Sequence, residues 1–171
     1  HRDMFYSDRD DSDDKPISII ITTLAARAYD GEADILEALR NVVPKMLDQI
    51  EDHSSKFDIK GRVAKLITNP VNSEENFADK WIEHPQRRDN FYEWHEKLEK
   101  DLDNFFSKGL GSLNESLSPF GNKVAEKVIT AMGDRMKQKR ENGNLKILGA
   151  TGLLGDQGDK ISNHNFHAED E

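Results

Sequence analysis

Five aspartates near the start of the chain are the first residues whose type could bind a metal. They are Asp8, Asp10, Asp11, Asp13 and Asp14. A calcium-binding loop needs a central glycine for its sharp turn and a bidentate glutamate at its end. This segment has neither feature, so we interpret it as a solvated acidic linker.

The histidines and the glycines are the next groups that could do chemistry. His84 and His95 lack acidic or histidine partners at ligand spacing, and we interpret them as ordinary surface or interface residues. His164 and His167 lack a third ligand in the terminal segment, so they are weak evidence for a metal site. Four tail glycines recur at a spacing of three, which matches neither a dinucleotide fingerprint nor a phosphate-binding loop. They are Gly149, Gly152, Gly155 and Gly158. We predict a mobile or surface-clinging tail.

Composition excludes several classes of function. The 171 residues are 33% charged and 35% hydrophobic, which is typical of one soluble globular domain. A formal net charge of −9 argues against a surface for long nucleic acids, which usually requires concentrated lysine and arginine. There are no cysteines, which excludes disulfides, thiolate metal sites and cysteine catalysis. The chain has neither a bilayer-spanning apolar run nor a signal peptide, and we expect a cytoplasmic protein without membrane contacts.

The segment Pro16 to Tyr29 should organise the fold. It is rich in β-branched residues, but it continues into LAARAY and stops before Gly31, which suits the position beyond a helix end. Pro16 is a good first-turn residue. We therefore predict a helix that is apolar on nearly every side and covered on nearly every side.

The middle of the chain alternates between helical and irregular patterns. Apolar residues at helical spacing predict a helix over Ala33 to Asp52, kinked at Pro44. His53 to Ile67, with a turn at Gly61, favours extended or loop structure. Beyond it, Asn72 or Ser73 could cap a short helix that runs to Trp81, and Glu75 would complete a capping box if Asn72 is the cap.

Two longer helices complete the predicted fold. One begins at Pro85 and ends near Gly109. Its apolar residues recur at helical spacing, and we interpret them as a core stripe and not as a base-stacking platform: Phe91, Trp94, Leu98, Leu102, Phe105 and Phe106. The other runs from Asn122 to about Arg140 and should bury its apolar face: Val124, Val128, Ile129, Met132 and Met136. The prediction is an all-α bundle that begins with the end of a preceding helix and an acidic loop (1–14), followed by a helical lobe (15–142) and a glycine-rich tail (143–171).

Four ordered blocks carry a resemblance to a known family. They are KPISIIITTLAARAY, ITNPVNSEENFADKW, RRDNFYEW and the tail ATGLLG with HNF, between Lys15 and Phe166. Together they resemble the C-terminal half of bacterial cGAS/DncV-like nucleotidyltransferases, the cyclic-oligonucleotide synthases of anti-phage signalling. The resemblance implies a helical substrate-binding lobe like that of oligoadenylate synthase and poly(A) polymerase-like enzymes.

The family's chemistry resides in another lobe. The resemblance implies an N-terminal palm with a Gly-Ser motif and three carboxylates that bind Mg²⁺. Gly111-Ser112 is not followed by a strand with paired acids, so we expect no catalytic residue and no metal ligand in this chain. The chain also begins without methionine, and we interpret it as a piece of a longer enzyme that should be inactive alone.

The resemblance assigns the start of the Pro16 helix to the nucleotide cleft. It makes Lys15, Ser18 and Thr22 the candidate nucleotide-binding residues, and the unpaired amides of a helix N-terminus suit an anion. The alternative is that Ser18 bonds locally and that Lys15 is solvated. The block ending at Asn76 resembles a DPxxPxxN-like loop of oligoadenylate synthase relatives, but it departs from that pattern, and we interpret it as a structural turn.

The resulting functional hypothesis is a lobe of a synthase that makes cyclic di- or trinucleotides from NTPs in anti-phage defence. The expected partners are NTP substrates, the N-terminal lobe and regulatory proteins of the defence operon. The alternative is a stand-alone helical module that senses nucleotides or binds proteins without catalysis.

Overall fold

The computed structural model describes residues 1–33, 35–107, 113–148, 153–155 and 159–161. The chain divides into two compact units, His1–Asp103 and Asn104–Glu171. The predicted boundaries after residues 14 and 142 remain predictions. Within the described ranges no helix has both the length and the apolar character needed to cross a membrane.

The first unit contains helices and two small antiparallel sheets. Its helices are α1 (Arg2–Phe5), α2 (Ser18–Ala28), α3 (Ile35–Lys45), α4 (Lys80–Glu83) and most of α5 (Pro85–Ser107). Its strands are β1 (Glu51–Phe57), β2 (Val63–Leu66), β3 (Thr68–Asn69) and β4 (Asn72–Asn76), paired as β1–β2 and β3–β4. The prediction of a mostly helical fold is confirmed, whereas the prediction of an all-α fold is wrong.

Helix α2 forms within the predicted segment, but Pro16, expected in its first turn, lies two residues before its first residue, Ser18. The helix is also not covered on every side. Ile20 and Leu24 are buried, whereas Ile17 and Ile19 are 49% and 45% exposed. The helix ends at Ala28, because Tyr29 already has extended backbone at φ −72° and ψ 129°. Gly31, at φ +88°, then turns the chain. One flank of the start of α2 therefore faces solvent.

The helix that follows is shorter than predicted. α3 ends at Lys45, one residue beyond Pro44, and continues as a 3-10 turn over Leu47–Gln49. Proline has no N–H and crowds the preceding turn, so the predicted kink is instead the end of the α-helix. Residues 51 and 52, predicted as helix, belong to β1.

Two hairpins lie between α3 and α4 in the chain of the first unit. β1 pairs with β2 around a turn at Gly61 (φ +76°), which confirms the extended structure predicted for this region. The helix predicted from Asn72 or Ser73 is wrong, because Asn72 to Asn76 form β4. The side chain of Asn69 donates to Glu75 at 2.6 Å, so the glutamate expected to cap a helix stabilises a hairpin.

The core of the first unit lies along α5. The predicted stripe is buried at its first four positions, and Phe105 and Phe106 are half-buried. Phe91 is fully buried, with its ring centroid 5.4 Å from that of Trp81 and 5.9 Å from that of Trp94. The interpretation of His95 as an ordinary surface or interface residue without an acidic partner is wrong, because its Nδ1 lies 3.5 Å from a carboxylate oxygen of Glu99 and the side chain is buried. It is 1% exposed, and its Nε2–H donates to the Val43 carbonyl at 2.7 Å.

Helix α1 is fastened to α5 through the side chains of the two residues that flank it, His1 and Tyr6. Tyr6 donates its hydroxyl to the Asn90 carbonyl at 2.9 Å, and burial raises the pKa of Tyr6 to about 12. The Trp94 indole donates to Nδ1 of His1 at 3.1 Å, so Nε2 of His1 carries the proton donated to Asp101 at 2.9 Å. These contacts fix the position of α1.

The acidic segment is not a solvated linker along its whole length. Asp11 accepts from Arg9 and from Asn90, and Asp14 accepts from Arg87 at 2.8 Å. Arg87 and Asn90 belong to α5, so these two aspartates hold the segment against that helix. The other three aspartates have exposed or half-exposed side chains.

The second unit contains α6 (Leu113–Leu117), α7 (Asn122–Glu141) and three short strands, β5 (Lys146–Leu148), β6 (Leu153–Gly155) and β7 (Asp159–Lys160). The strands form one antiparallel sheet in the order β6-β5-β7, where we expected a mobile or surface-clinging tail. α7 confirms the predicted final helix, but its predicted buried face is wrong: Val124 is exposed and the other four residues are half-buried. Gly149, Gly152, Gly158, His164 and His167 lie outside the described residues.

Candidate functional site

A cleft in the first unit lies beside the start of α2. It has a volume of about 900 Å³ and is bounded by the start of α2, by β1, by β4 and by α4. Its apolar lining includes Ile17, Ile19 and Phe77. Most of its other lining residues are polar or charged, among them His53, Glu74 and Glu75. A concave space of this size is typical of small-molecule sites.

Basic side chains line two edges of this cleft. Lys56 reaches it from β1 and Lys80 from α4. In the described part of the chain, neither ammonium group forms an ion pair. Acidic residues line it as well, and one of them, Asp79, accepts the backbone N–H of Lys80 and so caps α4. The cleft therefore combines both signs of charge with apolar walls.

A buried carboxylate fixes the turn after β1. Asp58 is buried and accepts the backbone N–H groups of Lys60 and Arg62, both at 2.9 Å, together with Nε of Arg62 at 2.8 Å. Burial alone would raise the pKa of Asp58, but the backbone and side-chain bonds from Arg62 hold that pKa below its ordinary value. The carboxylate therefore fixes the β1–β2 hairpin.

Asn76 joins the walls of the cleft. Its Oδ1 accepts the backbone N–H of Ile67 at 2.8 Å and that of Ala78 at 3.0 Å, and its Nδ2 donates to the Lys65 carbonyl at 2.9 Å. One side chain thereby satisfies three backbone groups on both sides of the β3–β4 hairpin. This agrees with the structural turn predicted for the block.

Lys15 and Ser18 lie together at the start of α2. The Ser18 hydroxyl accepts from Nη1 of Arg2 at 2.7 Å, and Nζ of Lys15 lies 3.3 Å from Asp3. Hydrogen bonds from Arg2 hold the pKa of Asp3 below its ordinary value, and Lys15 acts in the same direction. No side chain caps the helix at Ile17, so its first amides are open to an anionic ligand.

Thr22 differs from the other two predicted residues. Its hydroxyl donates to the carbonyls of Ser18 and Ile19 at 3.0 and 3.2 Å, a back-bond within α2. The Thr22 hydroxyl can therefore only accept a hydrogen bond from a ligand. None of the three predicted residues lines the cleft, and Thr22 lines a shallow depression with Pro70.

Sequence reasoning missed several residues at this site. Arg2 lies sixteen positions before Ser18. Lys56 lies in a region predicted as extended or loop structure, and Lys80 lies near the end of a predicted helix. The basic character of these residues was visible in the sequence, but no periodicity connects them to α2. Among the described residues, no three histidine, aspartate or glutamate side chains are grouped as metal ligands.

One curated protein provides a functional comparison. The chain is similar to a c-di-GMP synthase from Roseivirga ehrenbergii, with 33% identity over 145 residues. The match covers 83% of this chain and 36% of the synthase, so the chain spans about a third of that protein's length. No protein-family model matches the chain.

Proposed function

We propose that this chain is the helical, nucleotide-binding part of a nucleotidyltransferase that makes cyclic di- or trinucleotides from NTPs. The observation that carries the proposal is the 33% identity to a c-di-GMP synthase over most of the chain. The proposed setting is anti-phage defence. The proposed partners are the N-terminal catalytic lobe, the NTP substrates and regulatory proteins of the same operon.

The start of α2 is the proposed triphosphate contact. Lys15 and Arg2 contribute positive charge there, and the uncapped first turn of α2 contributes amides and the positive end of the helix dipole. These groups would hold the triphosphate so that the attacking hydroxyl meets the α-phosphate in line. The adjacent cleft, with Phe77 and the exposed Ile17 and Ile19, offers apolar walls for a base.

In this proposal, other parts of the enzyme contribute the metal chemistry. Carboxylates of the N-terminal lobe would bind Mg²⁺, which activates the attacking hydroxyl and neutralises charge on the phosphates. The described residues of this chain contain no group of three potential metal ligands. The role of this chain would be to bind and orient the nucleotide.

The 171-residue chain alone should form no cyclic dinucleotide from ATP or GTP with Mg²⁺, because it contributes orientation and not the reacting groups. Chromatography of overnight reactions measures the amount of cyclic product, and the full-length protein is run in parallel. A cyclic product made by the purified chain alone would contradict the proposed division of labour. Tight binding of ATP or GTP to the chain in calorimetry would instead favour a nucleotide-sensing module.

In the full-length enzyme, Lys15→Ala should lower kcat/KM for the NTP by about tenfold to a hundredfold. This is the effect of losing one hydrogen bond to a charged group, worth about 1.5 to 3 kcal/mol. Stability should change little, because Lys15 is half-exposed and its pair with Asp3 is a surface ion pair.

Lys100→Ala is the matched control for this measurement. Lys100 is also an exposed lysine paired with a carboxylate, Glu96, but it lies on α5 away from the start of α2. The control should retain normal kinetics. Equal kcat/KM values for Lys15→Ala and wild type would remove Lys15 from the proposed site.

A further inference from the structure

Apolar side chains stay exposed where α2 borders the cleft. Ile17 and Ile19 line the cleft and are exposed, and Phe77 lines it as a half-buried side chain. Exposed apolar side chains that share one concave surface are typical of a ligand-binding wall. A volume of about 900 Å³ is sufficient for a purine base with its ribose, and these side chains would cover the flat faces of the base.

Three carboxylates line the cleft, and two of them already have structural partners. Glu75 accepts from Nδ2 of Asn69 at 2.6 Å. Asp79 accepts the backbone N–H of Lys80, also at 2.6 Å. Glu74 is exposed, and among the described residues no donor binds its carboxylate. Of the three, Glu74 is therefore the carboxylate that is available to a ligand.

The backbone that carries Glu74 is held in place. Its N–H donates to Oδ1 of Asn72 at 3.3 Å. Asn76, two residues further along β4, binds three backbone groups. The strand therefore presents the carboxylate from a fixed backbone, and only the Glu74 side chain has to be ordered when a ligand binds.

Two ammonium groups complement this carboxylate. Lys56 on β1 and Lys80 on α4 line the cleft, and in the part of the chain that the structure describes neither Nζ has a hydrogen-bond or ion-pair partner. The cleft therefore offers a ligand a pair of acceptor oxygens and two donor groups beside apolar walls. A matching ligand has two adjacent donors, acceptors elsewhere on its edge and a flat apolar body.

Guanine has this arrangement of polar groups. Its N1–H and 2-amino group are neighbouring donors that one carboxylate can bind together, and its O6 and N7 are acceptors for ammonium groups. Adenine has an unprotonated N1, whose lone pair would face the carboxylate. Hydrogen bonds to charged groups are about twice as strong as neutral ones, so this mismatch discriminates between the two bases.

We infer that the cleft binds the guanine base of a nucleotide and that the Glu74 carboxylate selects guanine over adenine by accepting from N1–H and the 2-amino group. Lys56 and Lys80 are the donors for O6 and N7. The inference rests on the proposed function, because it needs a nucleotide substrate. It does not depend on a phosphate contact at the start of α2, because every residue that it uses lines the cleft.

The test is competition between GTP and ATP for the full-length enzyme with Mg²⁺, which gives the ratio of the two kcat/KM values. The wild type should prefer GTP. Glu74→Gln should lower kcat/KM for GTP by about tenfold to a hundredfold, the effect of losing one bidentate base contact. It should not lower the value for ATP, because a carboxamide has one acceptor and one donor, which suit the 6-amino group and N1 of adenine.

Inosine triphosphate isolates the contact to the 2-amino group, which is the group that it lacks. The wild type should use it less well than GTP, and the difference should shrink in Glu74→Gln and in Glu74→Ala. Both variants should keep the melting temperature of the wild type, because Glu74 is exposed.

Glu51→Gln is the matched control. Glu51 is also an exposed glutamate on a hairpin strand, but it belongs to β1 and does not line the cleft. The control should retain the kcat/KM values of the wild type for GTP and for ATP.

Two results would overturn the inference, and they are distinguishable. If the wild type makes a cyclic product but prefers ATP, or if both Glu74 variants keep its ratio of GTP to ATP use, Glu74 does not select the base and the proposed function stands. If the full-length protein makes no cyclic nucleotide from any NTP, the proposed function fails, and the role of Glu74 fails with it.

Discussion

Phe91→Ala is expected to lower the free energy of unfolding of the first unit by about 3 to 5 kcal/mol, the usual cost of removing a buried aromatic ring. Phe91 is fully buried, and its ring lies between those of Trp81 and Trp94. The two tryptophans come from α4 and α5, so truncation leaves a cavity where these helices meet. Native domains are stable by only about 5 to 15 kcal/mol, so the loss is a large part of the total.

Thermal and urea unfolding, followed by tryptophan fluorescence, measure this effect. The melting temperature should fall by roughly 15 °C or more. Phe91→Leu is the matched control, because it keeps most of the apolar volume and should cost about 1 to 1.5 kcal/mol. Equal stabilities of Phe91→Ala and wild type would show that the ring is not part of the core.

The core of the first unit was largely predictable because it follows one helix. The spacing of Phe91, Trp94, Leu98 and Leu102 repeats with the period of an α-helix, and all four are buried. His95 was misjudged because polarity alone suggested the surface. Its buried position depends on the Val43 carbonyl, a contact between residues 52 positions apart that no local pattern encodes.

The segment Asn69 to Asn76 illustrates a different limit of prediction from sequence. Asn72 and Glu75 fit a capping box at the start of a helix, but both residues belong to β4. This strand pairs with β3 through Thr68 and Asn76, which are only eight positions apart. Short polar side chains satisfy backbone groups in turns as well as at helix ends. The choice between a helix and a hairpin depends on the side-chain contacts of Asn69 and Asn76, which only the three-dimensional structure shows.

The candidate site was predictable only through the family resemblance. That resemblance assigned Lys15, Ser18 and Thr22 to one cleft, and the structure has Lys15 and Ser18 beside the Arg2–Asp3 pair. The exposure of Ile17 and Ile19 did not follow from their apolar character, because an apolar helix predicts burial and does not indicate which flank stays open.

Asn76→Ala is expected to destabilise the first unit by about 2 to 4 kcal/mol, because it leaves two buried N–H groups without an acceptor. These groups belong to Ile67 and Ala78, both fully buried. Asn76→Asp is the matched control. It keeps both acceptor bonds but replaces the donor to the Lys65 carbonyl with a carboxylate oxygen, so it should be destabilised, though less than Asn76→Ala.

Native-state hydrogen exchange separates this local effect from a general loss of stability. In Asn76→Ala, the amides of Ile67 and Ala78 should lose more protection than amides of α5, because their acceptor is gone. In Asn76→Asp they should stay protected. Equal losses at all amides in both variants would mean that Asn76 contributes only through overall stability. A selective loss would identify Asn76 as the residue that holds the β4 wall of the cleft against β2 and α4.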